Sequence, residues 1–123
     1  MAVVAKSGTP SLASPHPTGG DLIRGLKAGE AIEAGDVCYV HSNGTVMRTG
    51  AGGVAFGIAA GTTPAGEAVT LFRNVSFHYG SGMTPGTALY AGANGSLNDD
   101  GGEDGVVIAR AIDATRVQFT GQA

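Results

Sequence analysis

Charge is scarce in this chain. Asp, Glu, Lys and Arg make up 14% of its 123 residues, against roughly 25% in ordinary soluble domains. The seven basic residues (Lys6, Arg24, Lys27, Arg48, Arg73, Arg110 and Arg116) are scattered, and the net charge is −3. Without a basic stripe the chain lacks the electrostatic footprint of nucleic-acid binding, and anionic membrane surfaces are disfavoured for the same reason. A membrane-spanning helix needs about 18 consecutive apolar residues, and no run comes near that. The start of the chain has no basic stretch followed by an apolar core, so it does not read as a secretory leader, and synthesis in the cytoplasm is expected.

Cysteine is almost absent. Cys38 is the single one, so no intrachain disulfide can form. It sits in the alternating apolar stretch Val37-Cys38-Tyr39-Val40, where a packed structural thiol is expected rather than a nucleophile. His16, His41 and His78 have no metal-ligand spacing, and no serine lies in a Gly-x-Ser-x-Gly context. Gly50-Ala51-Gly52-Gly53 fits neither phosphate-binding pattern. The run 98–105 packs four acids among three glycines, but its spacing is not that of an EF-hand, so an exposed loop is expected. Neither an enzyme nor a bound metal or cofactor is expected.

What the chain has is glycine and repetition. Its 22 glycines exceed twice the usual share of about 7%. Residues 35–46 return as residues 86–97. Gly35, Tyr39, Asn43 and Gly44 recur as Gly86, Tyr90, Asn94 and Gly95, and apolar Val37, Val40 and Val46 fall on Ala88, Ala91 and Leu97. Asn-Gly between alternating runs predicts a type I′ hairpin turn in each copy, because both residues tolerate positive φ. Two strand-like runs follow each hairpin, 54–59 and 67–73 in the first copy, 106–111 and 115–120 in the second. The paired aromatic and aliphatic positions Tyr39 and Tyr90, Phe56 and Ile108, Leu71 and Phe119 are expected to share a core. Between the copies, Val75, Phe77 and Tyr79 alternate with Ser76 and His78 as a half-buried strand should. Runs 67–73 and 74–79 are expected to be one bent strand, or two joined at Asn74. A further strand is expected over 22–27, since Gly25, Gly29 and Gly35 argue against a helix there. The fold class is therefore all-β: a small β-barrel or β-tulip-like body made from a duplicated hairpin-plus-strands unit, spanning 21–123.

Ahead of that body, residues 1–20 read as a flexible arm. Pro10, Pro15 and Pro17 fall in segment 7–20 with glycines and hydroxyl residues, a composition suited to neither a helix nor a central strand. Low charge and a docking arm suggest a protein that lives in an assembly.

Four stretches, residues 26–40, 53–60, 67–73 and 83–92, resemble the head decoration (capsid cement) proteins of tailed bacteriophages, with the likeness extending over 22–120. The resemblance implies a homotrimer on the capsid exterior of a virion, clamping neighbouring major capsid proteins. Its arm would bind the capsid through Val3, Val4, Thr9, Pro10, Leu12, Pro15 and Pro17. The partners so implied are the major capsid protein and other copies of the chain, with no nucleic acid and no membrane. The alternative is a receptor- or glycan-binding β domain of a phage tail or fibre, although the upstream repeats or heptads usual in fibres are missing.

Overall fold

The structure, a computed structural model, describes residues 3–4, 6–12, 22–50, 55–99 and 106–121. Along these run strands β1 (Val3–Val4), β2 (Lys6–Leu12), β3 (Leu22–Ala28), β4 (Val37–Val40), β5 (Thr45–Arg48) and β6 (Gly57–Ala59). They continue as β7 (Ala68–Phe72), β8 (Val75–Gly80), β9 (Ala88–Ala91), β10 (Leu97–Asn98), β11 (Val107–Ala111) and β12 (Arg116–Phe119). The molecule is a small all-β protein. A closed barrel in the order β3-β5-β4-β6-β7 stands beside a curled sheet in the order β1-β10-β9-β11-β12-β8-β2.

The duplication is real and one strand longer than the sequence repeat. In the barrel, β4 pairs with β5 and β6, β6 with β7, and β7 with β3. In the sheet, β9 pairs with β10 and β11, β11 with β12, and β12 with β8. The unit is thus β3–β7, repeated as β8–β12. The leading strands escaped notice because, aligned by pairing, they share no residue. A bend at Asn74, whose φ is 53°, separates β7 from β8, and these are two strands in different sheets.

The units close differently. In the first, β3 lies parallel to β5 through Lys27–Thr45 and Ala28–Val46. In the second, β8 and β10 are bridged by the N-terminal segment: β1 pairs with β10, and β2 pairs with β8.

Period-two alternation divides the core. Ala28, Ile32, Cys38, Val46, Ala59, Val69 and Leu71 fill the barrel. Their strand neighbours Val37, Ile58 and Phe72 form a row on its outer face and join the second unit's core, which includes Phe77, Tyr79, Leu89, Leu97, Val117 and Phe119. The equivalent row in the second unit is Ala88, Arg110 and Gln118. Arg110 is exposed and the other two are half-buried. An apolar row became polar where no third unit covers it.

Two expectations are corrected. Tyr39 and Tyr90 are half-exposed and outside both cores, whereas Ile108, Leu71 and Phe119 are buried and Phe56 is partly so. The tyrosines occupy the same place in each unit, but that place is on the outer face, where a phenol tip stays hydrated. The first hairpin is not type I′. The His41 amide donates to Thr45 O at 2.7 Å, the Gly44 amide to His41 O at 2.8 Å, and Gly44 is left-handed with φ 85° while Asn43 is not. That is a three-residue connection with a glycine bulge. The second does have a type I′ turn, with Asn94 at φ 56° and ψ 38° and Gly95 at φ 73°. A contact between units explains the difference: the Gly95 amide donates to Thr49 O at 3.1 Å and Thr49 Oγ1 donates to Gly92 O at 3.1 Å.

Candidate functional site

The stretch read as an arm, residues 1–20, holds two strands among its described residues. Val3 and Val4 form β1, while Thr9, Pro10 and Leu12 belong to β2. Pro15 and Pro17 lie outside the described residues, as do His16 and most of the acidic run. The proline argument excluded a central strand, and β2 is accordingly terminal in its sheet. Its register slips between Lys6–Gly80 and Ser11–His78, a bulge holding Pro10, where a missing amide costs no ladder bond.

Side chains fix this segment to the first unit. Lys6 Nζ donates to Asp36 Oδ1 at 2.6 Å; the Asp36 side chain is only 2% exposed, that of Lys6 23%. The other oxygen, Oδ2, accepts the Glu33 amide at 2.8 Å. Pro10 is buried against Gly35, where an added Cβ would stand 2.7 Å from its ring. Gly35 itself is left-handed, with φ 84°. Asp36 also abuts the Gly95 turn, where an added Cβ would stand 3.2 Å from Oδ1, so this one side chain adjoins the N-terminal strand and both units. Sequence reasoning missed Lys6 and Asp36. One signal was available: Asp36 falls inside the repeat, yet its counterpart by offset, Thr87, cannot carry charge.

A cleft of about 270 Å³ lies between the units, lined by residues that include Glu30, Tyr39, Arg48, Thr49 and Asn94. Glu30 bridges its floor, accepting the Arg48 amide at 2.9 Å and lying 3.5 Å from the Arg48 guanidinium. Tyr39 stands beside His41, their ring centroids 6.2 Å apart.

Cys38 lies inside the barrel with its Sγ 3.4 Å from Asp36 O. Burial first, then the Asp36 and Glu30 carboxylates, pushes its thiol far above the ordinary range, so it stays protonated. His41 sits in the first hairpin and His78 on the exposed face of β8, far apart in the topology. Among the described residues no group of three or more His, Cys, Asp or Glu side chains could hold a metal ion. No helix among them is long and apolar enough to cross a membrane.

No protein-family model matches the chain, and no curated protein matches it.

Proposed function

We propose that this protein is a structural decoration protein, a cement that seats on the outer surface of a phage head and braces contacts between major capsid proteins. The observation that carries the reading is the N-terminal margin: a duplicated β body with its N-terminal strand lying at the end of a sheet. Among the described residues β2 pairs along one side, with β8, and such a strand can accept main-chain hydrogen bonds from a neighbouring protein without specialised side-chain chemistry. Scarce surface charge favours residence in an assembly, and the resemblance of residues 22–120 supplies the kind of assembly. A trimer would present three such margins at once, turning weak single contacts into avidity. The test is binding to phage heads that lack their decoration protein, imaged by electron cryomicroscopy. Expected are discrete densities at three-fold and local three-fold positions, with greater resistance of the heads to heat. Absence of bound density at saturating protein overturns the reading.

The cleft between the units favours one second reading, a glycan-binding domain of a tail or fibre. A half-exposed tyrosine beside a carboxylate, a guanidinium and an amide is the kind of lining that a sugar ring would use. Binding to a glycan panel, lost in Tyr39→Ala, would establish it in place of the first.

A further inference from the structure

The two units close differently: the first joins its leading strand to its hairpin directly, through β3 and β5, and the second leaves a strand-wide seam between β8 and β10. Strands β1 and β2 occupy that seam. Everything that receives them belongs to the body: the edges of β8 and β10, the apolar bed under Val4, the Asp36 carboxylate and the bare surface of Gly35. These features recur in every copy of the chain. Nine residues, 13–21, separate β2 from β3, a count that caps their reach at about 30 Å.

We propose that the seam is a strand-acceptor site which takes residues 3–12 of a second copy as well as its own, so that copies are linked by exchange of N-terminal strands. An emptied seam would strand the Asp36 carboxylate in the interior without its ammonium partner and bare two sheet edges. Refilling by an equivalent segment restores every one of those contacts, so exchange wins over a dangling arm. Exchange passed round a cycle of copies closes a ring, and reciprocal exchange closes a dimer. This inference stands apart from the capsid reading, since its test involves no capsid.

Ser11 and His78 are exposed antiparallel partners across β2 and β8, close enough for a disulfide. In a Cys38→Ala background, chains bearing only Ser11→Cys are mixed with chains bearing only His78→Cys under mild oxidation. The expected product is a mixed-chain disulfide that grows with protein concentration. The control mixes Ser11→Cys with Ser42→Cys, which lies on the exposed first hairpin. A second measurement uses a labelled peptide of residues 1–12 and the chain lacking residues 2–12. The peptide should bind one per chain, and its Lys6→Ala form at least ten-fold more weakly. If the mixed disulfide does not exceed the control, while a chain carrying both Ser11→Cys and His78→Cys closes its own disulfide, the strand stays with its own body and the proposal fails.

Discussion

At the scale of single residues, three polar groups tie together segments that the apolar pattern leaves unspecified. Asp36 is nearly sealed from water, so losing Lys6 leaves a buried carboxylate short of its cation. Lys6→Ala should lower stability by about 1–3 kcal/mol, less than for a fully buried pair because the ammonium is partly hydrated. Exposed Lys27→Ala should change it by less than about 0.5 kcal/mol in the same denaturant titration. Tyr79 is 1% exposed, and its phenol oxygen accepts the Leu97 amide at 3.1 Å. Burial pushes its pKa up to about 12, so the phenol stays neutral at any physiological pH. Tyr79→Phe keeps the ring but orphans a buried amide, and a loss of about 1–3 kcal/mol is expected. Asp113 differs because it is exposed. Its Oδ1 accepts the Thr115 amide at 3.0 Å and the Arg116 amide at 2.8 Å, and its Oδ2 accepts Arg116 Nε at 2.8 Å. These contacts, the Thr115 amide foremost, hold its pKa down to about 2 from an ordinary 3.8. A depressed carboxylate stabilises fully above its unfolded pKa, and that contribution drains as pH falls through the folded value. The β11–β12 corner should therefore loosen between about pH 4 and pH 2. Amide shifts of Thr115 and Arg116 should titrate together with a midpoint near 2 and become flat in Asp113→Asn.

At the scale of elements, the repeat offers paired positions with unequal surroundings. Gly35 and Gly86 are equivalent and both left-handed, with φ of 84° and 87°. Around Gly86 nothing lies within 4 Å of an added Cβ, whereas at Gly35 the ring of Pro10 stands at 2.7 Å. Gly86→Ala should carry only the backbone strain, about 1 kcal/mol. Gly35→Ala should cost more and also lift β2, seen as faster amide exchange at Ser11 and Leu12. Pro10→Gly on the Gly35→Ala chain should recover part of the difference; no recovery would mean that Pro10 does not press on Gly35. The hairpins make a related point. Asn-Gly reads identically in both copies, yet Thr49 takes the Gly95 amide and leaves the two turns with different geometry.

At the scale of the whole molecule, the interface between units sets which faces are apolar. Ile58 and Arg110 occupy equivalent positions in the barrel and in the sheet, Ile58 fully buried and Arg110 exposed. Ile58→Arg would bury a charge where the units meet and should prevent folding or cost more than about 3 kcal/mol. Arg110→Ile should change stability by less than about 1 kcal/mol, since it removes an exposed charge and one long, exposed hydrogen bond to Gly86 O at 3.3 Å. It would also enlarge the apolar surface around Val107 and Ala109, so a concentration-dependent rise in light scattering is expected.

How much of this was legible depends on the range of the interaction. Alternation of period two is local, and it placed β4 to β7, β8 and β9 to β12 along the chain, with Val75, Phe77 and Tyr79 on the buried side. Four identities at one offset exposed the duplication, and two of them, Gly35/Gly86 and Gly44/Gly95, are glycines held at positive φ in both copies. The all-β class and the structural character of Cys38 followed from the same short-range signals. Tertiary structure decided the rest. Whether a unit closes on itself or takes a strand from the N-terminus depends on how β8 and β10 meet, and no local preference encodes that distance. The strands at 3–12 carry too little apolar surface to announce themselves, and they form because edges elsewhere in the chain receive them. The candidate site likewise joins Lys6 to Asp36, thirty positions apart, and a contact between distant residues leaves no trace in the periodicity of either.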